Sequence, residues 1–210
     1  MFKQDKQNFA VGVPHYTLAR FMAHYEIYKL VKDQPGVVID IGVGAGGSTW
    51  AFAAMGSVFA KPKAVYGFDT FAGFPAVGKE DACASMAKVG QMAFPDAFKD
   101  VRLPEHINLY KGDIAVTVPE FVRARSGMQI ALLNLDADLY APTRTALECL
   151  EPRVVPGGVI IFDEYDLKDV FPGERKAVDE YYTARIGRAP RVHRIPWCSN
   201  PSAYLVKGEE

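Results

Sequence analysis

Cysteine is scarce in this chain: there are three among 210 residues, at positions 83, 149 and 198. Three scattered thiols cannot build a disulfide framework and do not have the spacing of a zinc site, so a reducing, cytoplasmic setting is expected. Long apolar runs are missing as well. No stretch approaches the roughly 20 apolar residues that a membrane span needs. The opening Met1-Phe2-Lys3-Gln4-Asp5-Lys6 lacks the apolar segment of a secretory leader. Neither sign of charge is in excess: 24 Lys+Arg stand against 25 Asp+Glu, for a net charge of −1. No global field therefore recruits nucleic acid or an anionic membrane, and the basic cluster Arg185, Arg188, Arg191 and Arg194 reads as a solvated face. Internal repeats and low-complexity linkers are absent. Only four histidines occur, and no Ser-His-Asp order or Cys-His pair stands out.

What is present centres on residues 37–49. Val37 to Ile41 form a β-branched run interrupted by one carboxylate, which suits a strand buried on both faces. Gly42, Gly44, Gly46 and Gly47 then permit a tight turn, and Ser48 with the apolar run from Trp50 to Met55 opens a helix. Such a turn brings backbone N–H groups and the positive end of a helix close to a ligand. The spacing fits G-x-G-x-x-G, the dinucleotide pattern, and equally G-x-G-x-G, the pattern of S-adenosylmethionine sites. Asp40 favours the second, because a carboxylate at the strand tip can reach the ammonium of a methionine moiety. A glycine turn that binds nothing is the competing reading.

Ahead of this stretch, residues 1–13 are expected to form an arm or lid. Apolar positions from Tyr16 to Lys32 recur at helical spacing until Asp33-Gln34-Pro35-Gly36 stops the helix; His15 and His24 in it read as surface or packing residues. Downstream, strands are expected at 63–69, 106–113, 129–136 and 159–162, the last introduced by Pro156-Gly157-Gly158. Helices are expected around Val118–Arg125, Pro142–Leu150 and Arg175–Arg185. Residues 76–105 admit either a loop-and-helix insertion shaping a substrate pocket or a plain crossover. Segments 191–196 and 202–207 read as a terminal antiparallel hairpin. The alternation defines a doubly wound, Rossmann-like α/β sheet, mostly parallel, closed by that hairpin.

Five successive strands stop at Asp40, Asp69, Asp113, Asp136 and Asp163, and in open α/β sheets ligands bind beyond the carboxyl ends of the strands. Asp69 lies 22 residues beyond Gly47, where a nucleotide-binding unit places the acid that takes ribose hydroxyls. Asp113 either accepts from the adenine amino group or caps the following helix. Asp136 and the pair Asp163-Glu164 close neighbouring strands. Their mutual repulsion is relieved by a hard divalent cation, and an oxygen-only ligand set points to Mg²⁺. Asp138 is an alternative ligand, although strand alternation points it elsewhere. The competing reading has these acids capping helices or pairing with Arg144 and Arg175. A metal there would lower the pKa of a substrate hydroxyl, with Asp136 taking the proton.

With these residues in place, the chain resembles the macrocin O-methyltransferase family. The matching segments are the glycine loop, Phe68 to Pro75, Leu135-Asp136-Ala137-Asp138-Leu139-Tyr140, Pro156 through Tyr165, and Pro172 to Glu180. The resemblance implies a class I S-adenosylmethionine-dependent methyltransferase, with residues 1–35 as arm and lid helix and 36–210 as the methyltransferase domain. It implies cofactor contacts from Asp40, Gly42, Gly44, Gly46, Ser48, Asp69 and Asp113, a metal on Asp136, Asp163 and Glu164, and Asp136 as base. The expected partners are a small-molecule hydroxyl acceptor (a sugar or a polyketide-derived scaffold) and further copies of the chain in a homo-oligomer, with no nucleic acid and no membrane. Two other readings remain: an NAD-dependent oxidoreductase, to which a magnesium cluster is of no use, and a binding protein that keeps the cofactor but has lost turnover.

Overall fold

The computed structural model describes residues 12–210; most of the arm expected over residues 1–13 lies outside them. One six-stranded sheet runs in the order β3-β2-β1-β4-β5-β6. Its strands are β1 (Val37–Ile41), β2 (Val65–Asp69), β3 (Ile107–Lys111), β4 (Ile130–Leu135), β5 (Val154–Phe162) and β6 (Ala203–Val206). The first five are parallel and β6 is antiparallel to β5. The helices are α1 (His15–Val31), α2 (Gly47–Val58), α3 (Ile114–Ala124), α4 (Tyr140–Leu150) and α5 (Pro172–Ile186).

Side-chain alternation along the strands divides the core in two. Val38, Leu132, Val159 and Ile161 pack with Ile27, Tyr28 and Val31 of α1 and Phe52 and Met55 of α2. Ile39, Ile41, Leu133, Leu135, Ile160 and Phe162 face Val118 and Phe121 of α3, Leu147 and Leu150 of α4 and Val178 and Tyr181 of α5. Helices thus cover both faces, as continuous apolar strands require.

Three details differ from the sequence reading. Helix α3 begins at Ile114, four residues before Val118, because Asp113 caps it: the Asp113 carboxylate accepts from the Ala115 N–H at 2.8 Å. Strand β5 runs straight through Pro156-Gly157-Gly158, starting at Val154, with register shifting against β4 between Ile130 and Leu132. The antiparallel pair at the C-terminus is β5 with β6, while segment 191–196 contributes one isolated bridge, His193 to Tyr204.

Beyond the strand ends the parallel ladder continues by one rung. Gly42 N–H donates to Phe68 C=O, Asp136 N–H to Ile41 C=O and Asp163 N–H to Leu135 C=O, at 2.9, 2.9 and 3.0 Å. These bonds hold the loops after β1, β4 and β5 side by side at the point where strand order reverses, the usual ligand crevice of such sheets.

Candidate active site

A cleft of about 580 Å³ opens at this edge, within the size range of small-ligand sites. One wall is the glycine loop. Gly42, Gly44 and Gly46 have φ of +89°, +53° and +91°, whereas Gly47 already belongs to α2 and has space for a Cβ. The backbone therefore demands glycine in the pattern G-x-G-x-G. At Gly42 the need is absolute, since a Cβ there would lie 1.8 Å from the Asp136 carbonyl oxygen.

Of the residues expected to contact a cofactor, Gly42, Gly44, Ser48, Asp69 and Asp113 line the cleft. Asp69 accepts from the N–H of Gly44 at 2.7 Å and of Phe71 at 2.6 Å, which leaves lone pairs on the carboxylate for ligand hydroxyls. Asp113 caps α3 at the rim of the cleft, the second of its two expected roles. Gly46 packs under Phe98 away from the lining. Asp40 has no exposed surface; its carboxylate accepts from Ser48 Oγ at 2.8 Å, Thr49 Oγ1 at 2.5 Å and Asn134 Nδ2 at 2.8 Å. It ties the start of α2 to β1 and β4. Burial raises its pKa even against these three donors.

The opposite wall carries the acids. Asp136, Asp138, Asp163 and Glu164 all line the cleft, and oxygens of Asp136, Asp138 and Glu164 lie within 4.8 Å of one another. Asp138 joins because its φ is +61°, a left-handed turn that reverses the alternation expected of a strand. Asp163 stands beside the trio, its Oδ2 taken by Arg20 Nη1 at 2.8 Å and Asn200 Nδ2 at 3.1 Å. Arg20 Nη2 donates to Asp136 Oδ2 at 2.5 Å. Arg144 and Arg175 are engaged elsewhere, with Glu148 and Asp179. The cation among the acids, within the described residues, is Arg20, which the sequence reading missed and which no local pattern marks. Asn200 and Glu174 had no sequence signal beyond their neighbours. Glu174 is fully buried behind the cluster and accepts from the Glu164 N–H at 2.9 Å.

Proton affinities divide accordingly. Burial and then Asp163 push Asp136 and Glu164 well above the usual carboxylate range, and Asp138 up to about 7. For Asp163 burial is the largest single influence, but Arg20 and the other neighbours together outweigh it, and its pKa falls. Asp163 is the acid that holds its charge.

The remaining wall is apolar. The 70–75 turn and the 90–98 loop, joined by Phe94 N–H to Phe71 C=O, bring Phe74, Met92 and Phe94 to the cleft, opposite Leu167 and Phe171. Aromatics of segment 71–98 thus line the cleft, whereas α1 contributes Arg20 and no aromatic among the described residues. Segment 76–105 is anchored by Asp81, buried at the start of α4, whose carboxylate accepts from the Tyr140 N–H at 3.2 Å.

An open sheet with a glycine turn at its switch point and acid-tipped neighbouring strands defines the class I methyltransferase fold. Within that class, the chain belongs to the macrocin-O-methyltransferase (TylF) family, whose model matches residues 19–199. It is 30% identical over 166 residues to 8-demethyl-8-(2,3-dimethoxy-alpha-L-rhamnosyl)-tetracenomycin-C 4'-O-methyltransferase of Streptomyces olivaceus, covering 72% of this chain and 60% of that protein. It is 27% identical over 161 residues to mycinamicin III 3''-O-methyltransferase of Micromonospora griseorubida, covering 70% and 60%. The chain thus spans about 60% of the length of these relatives. The crystal structure of CalS11, a calicheamicin methyltransferase, superposes with a TM-score of 0.83 at 28% identity, covering 96% of this chain and 84% of that one.

Proposed function

We propose that the protein is an S-adenosylmethionine-dependent O-methyltransferase acting on a hydroxyl of a small secondary metabolite, a sugar or a polyketide-derived scaffold, with Mg²⁺ assisting. The observation that carries this reading is the convergence of the G-x-G-x-G loop, Asp69 and the Asp136 cluster on one cleft. Family membership and relatives named as O-methyltransferases of sugar-bearing antibiotics support it.

S-adenosylmethionine supplies a methyl group made electrophilic by its sulfonium. Asp69 would accept from the ribose hydroxyls, Asp113 and Ile114 would border the adenine, and the backbone of Gly42 to Ala45 would take the methionine portion. Asp40 acts through the loop it braces. The acids fit a divalent cation: their donors are all oxygen, and Glu164 Oε2 and Asp163 Oδ1 are buried with no hydrogen-bond partner. Asp136, Asp138 and Glu164 would hold it, with Asp163 alongside, where the sequence reading had Asp136, Asp163 and Glu164. The ion supplies Lewis-acid polarisation of the acceptor hydroxyl. Asp136 takes the proton that this hydroxyl loses as its oxygen bonds the methyl carbon and the carbon–sulfur bond breaks. Phe74, Leu167 and Phe171 cover the reacting atoms from water.

Among the described residues no helix is long and apolar enough to cross a membrane, and all three cysteines are free, which fits the cytoplasmic reading. The homo-oligomer stays part of the proposal: Leu18, Phe21, Met22 and Tyr25 form an exposed apolar row on α1, and sedimentation velocity tests it.

The deciding experiment is calorimetry of S-adenosylmethionine binding, with and without Mg²⁺, on the wild type and Asp136→Asn, beside transfer assays on sugar and phenol acceptors. Both proteins should bind the cofactor. Transfer should fall by about 10²-fold or more in the variant, as expected for losing a general base. Binding of NAD in place of S-adenosylmethionine refutes the reading.

A further inference from the structure

Arg20 is the one residue of α1 that reaches the cleft among the described residues. Its two terminal nitrogens contact different strand tips, Nη2 on Asp136 Oδ2 and Nη1 on Asp163 Oδ2. Four carboxylates crowd around this single guanidinium, and two of their buried oxygens, Asp163 Oδ1 and Glu164 Oε2, have no partner. Beside this one guanidinium, two buried carboxylate oxygens are thus left without a donor. The oxygens grouped to hold a second cation include that of Asp136, an acid Arg20 already holds.

We propose that Arg20 is a tethered counter-cation that competes with a divalent cation for Asp136, so that it sets how tightly the Asp136-Asp138-Glu164 site takes metal. This rests on the divalent-cation reading above. A guanidinium does not lose its proton at any working pH, so it cannot yield by neutralising itself. It yields by moving, and the structure leaves it the means. The Arg20 side chain is 30% exposed, facing the cleft. Its other contact, on Asp163, is made by the other terminal nitrogen, and Asn200 donates to the same Asp163 oxygen and helps to fix it. When metal occupies the site, Arg20 pivots on Asp163 and gives up Asp136. In its absence Arg20 keeps two strand tips from repelling each other. The pairing is a positioning role: Arg20 acts through Asp136 and Asp163.

The test is to titrate MgCl₂ at constant ionic strength into wild type, Arg20→Gln and Arg20→Lys by calorimetry, with Mn²⁺ counted by electron paramagnetic resonance. Arg20→Gln should bind metal at least about tenfold more tightly, because a unit charge in contact with a dication site has that effect even at the dielectric of water. Arg20→Lys keeps the charge but cannot span both carboxylates, and should fall between. A merely structural role gives the opposite sign, since a damaged site binds metal more weakly. Equal or weaker binding by Arg20→Gln, with wild type binding, overturns the proposal alone. If Arg20→Gln fails to fold, the lysine variant decides by the same sign. If no form binds either metal, the divalent-cation reading falls too.

Discussion

His24 lies one helical turn after Arg20, 2% exposed, with its ring against Phe52 at 4.9 Å and its Nε2 unpartnered. Burial, then Arg20, lowers its pKa from 6.5 to about 3, and the field of Asp163 offsets only part of this. It is therefore neutral in the fold and acts as packing, as its place in the helix suggests. The consequence is a pH dependence of stability. Below pH 6.5 the unfolded chain binds a proton that the folded chain refuses. Its contribution is complete above 6.5 and declines toward pH 3 by up to about 1.4 kcal/mol per pH unit. The raised carboxyls Asp136, Glu164 and Glu174 act in the other direction, since the fold binds their protons first. Comparing variants isolates the histidine. In urea melts between pH 7.5 and 4.5, the stability of wild type relative to His24→Leu should fall steadily below pH 6.5. A constant difference would mean that His24 takes up its proton as readily in the fold as in the unfolded chain.

The glycine loop is the element on which the site depends, and its residues are not interchangeable. Gly42→Ala combines a left-handed backbone with a Cβ 1.8 Å from the Asp136 carbonyl oxygen. Strain and overpacking together should cost about 3 kcal/mol or more. Gly47→Ala sits in the first turn of α2 with open space and ordinary φ, and should be neutral or stabilise by up to about 1 kcal/mol. Thermal melts of the two variants check this, and equal losses would contradict it. Such local demands explain what could be read in advance. Strands ending in a carboxylate and glycines between strand and helix are set by neighbours in sequence, so β1, β4, the loop and Asp136 were legible. Asp138 was misplaced by alternation because a single left-handed φ reverses it. Arg20 and Asn200 reach Asp163 from 143 and 37 residues away, and no periodicity encodes such a meeting. The Pro-Gly-Gly of β5 reads as punctuation locally, yet pairing with β6 on its far side carries the strand through: Gly157 N–H donates to Lys207 C=O at 2.9 Å.

At the scale of the whole molecule, the cleft is where otherwise separate parts meet. Its lining takes Arg20 from α1, the loop after β1, the 70–75 and 92–94 segments, the start of α3, the tips of β4 and β5, and Asn200 near the C-terminus. A ligand filling it bridges both helical layers to the sheet, so its binding energy must appear as stability of the entire fold. At a concentration a hundred times its Kd, a ligand that binds only the folded state adds about 2.7 kcal/mol. For a chain of this size each kcal/mol corresponds to about 2–4 °C. S-adenosylhomocysteine at that excess should therefore raise Tm by about 5–11 °C, in one cooperative transition, while NAD at equal concentration should leave Tm unmoved. Asp69→Ala should abolish most of the shift, since it removes the brace on Gly44 N–H and the acceptor proposed for the ribose. A shift with NAD alone would return the chain to the oxidoreductases. A shift with neither would mean that the acids and glycines share an edge without sharing a ligand.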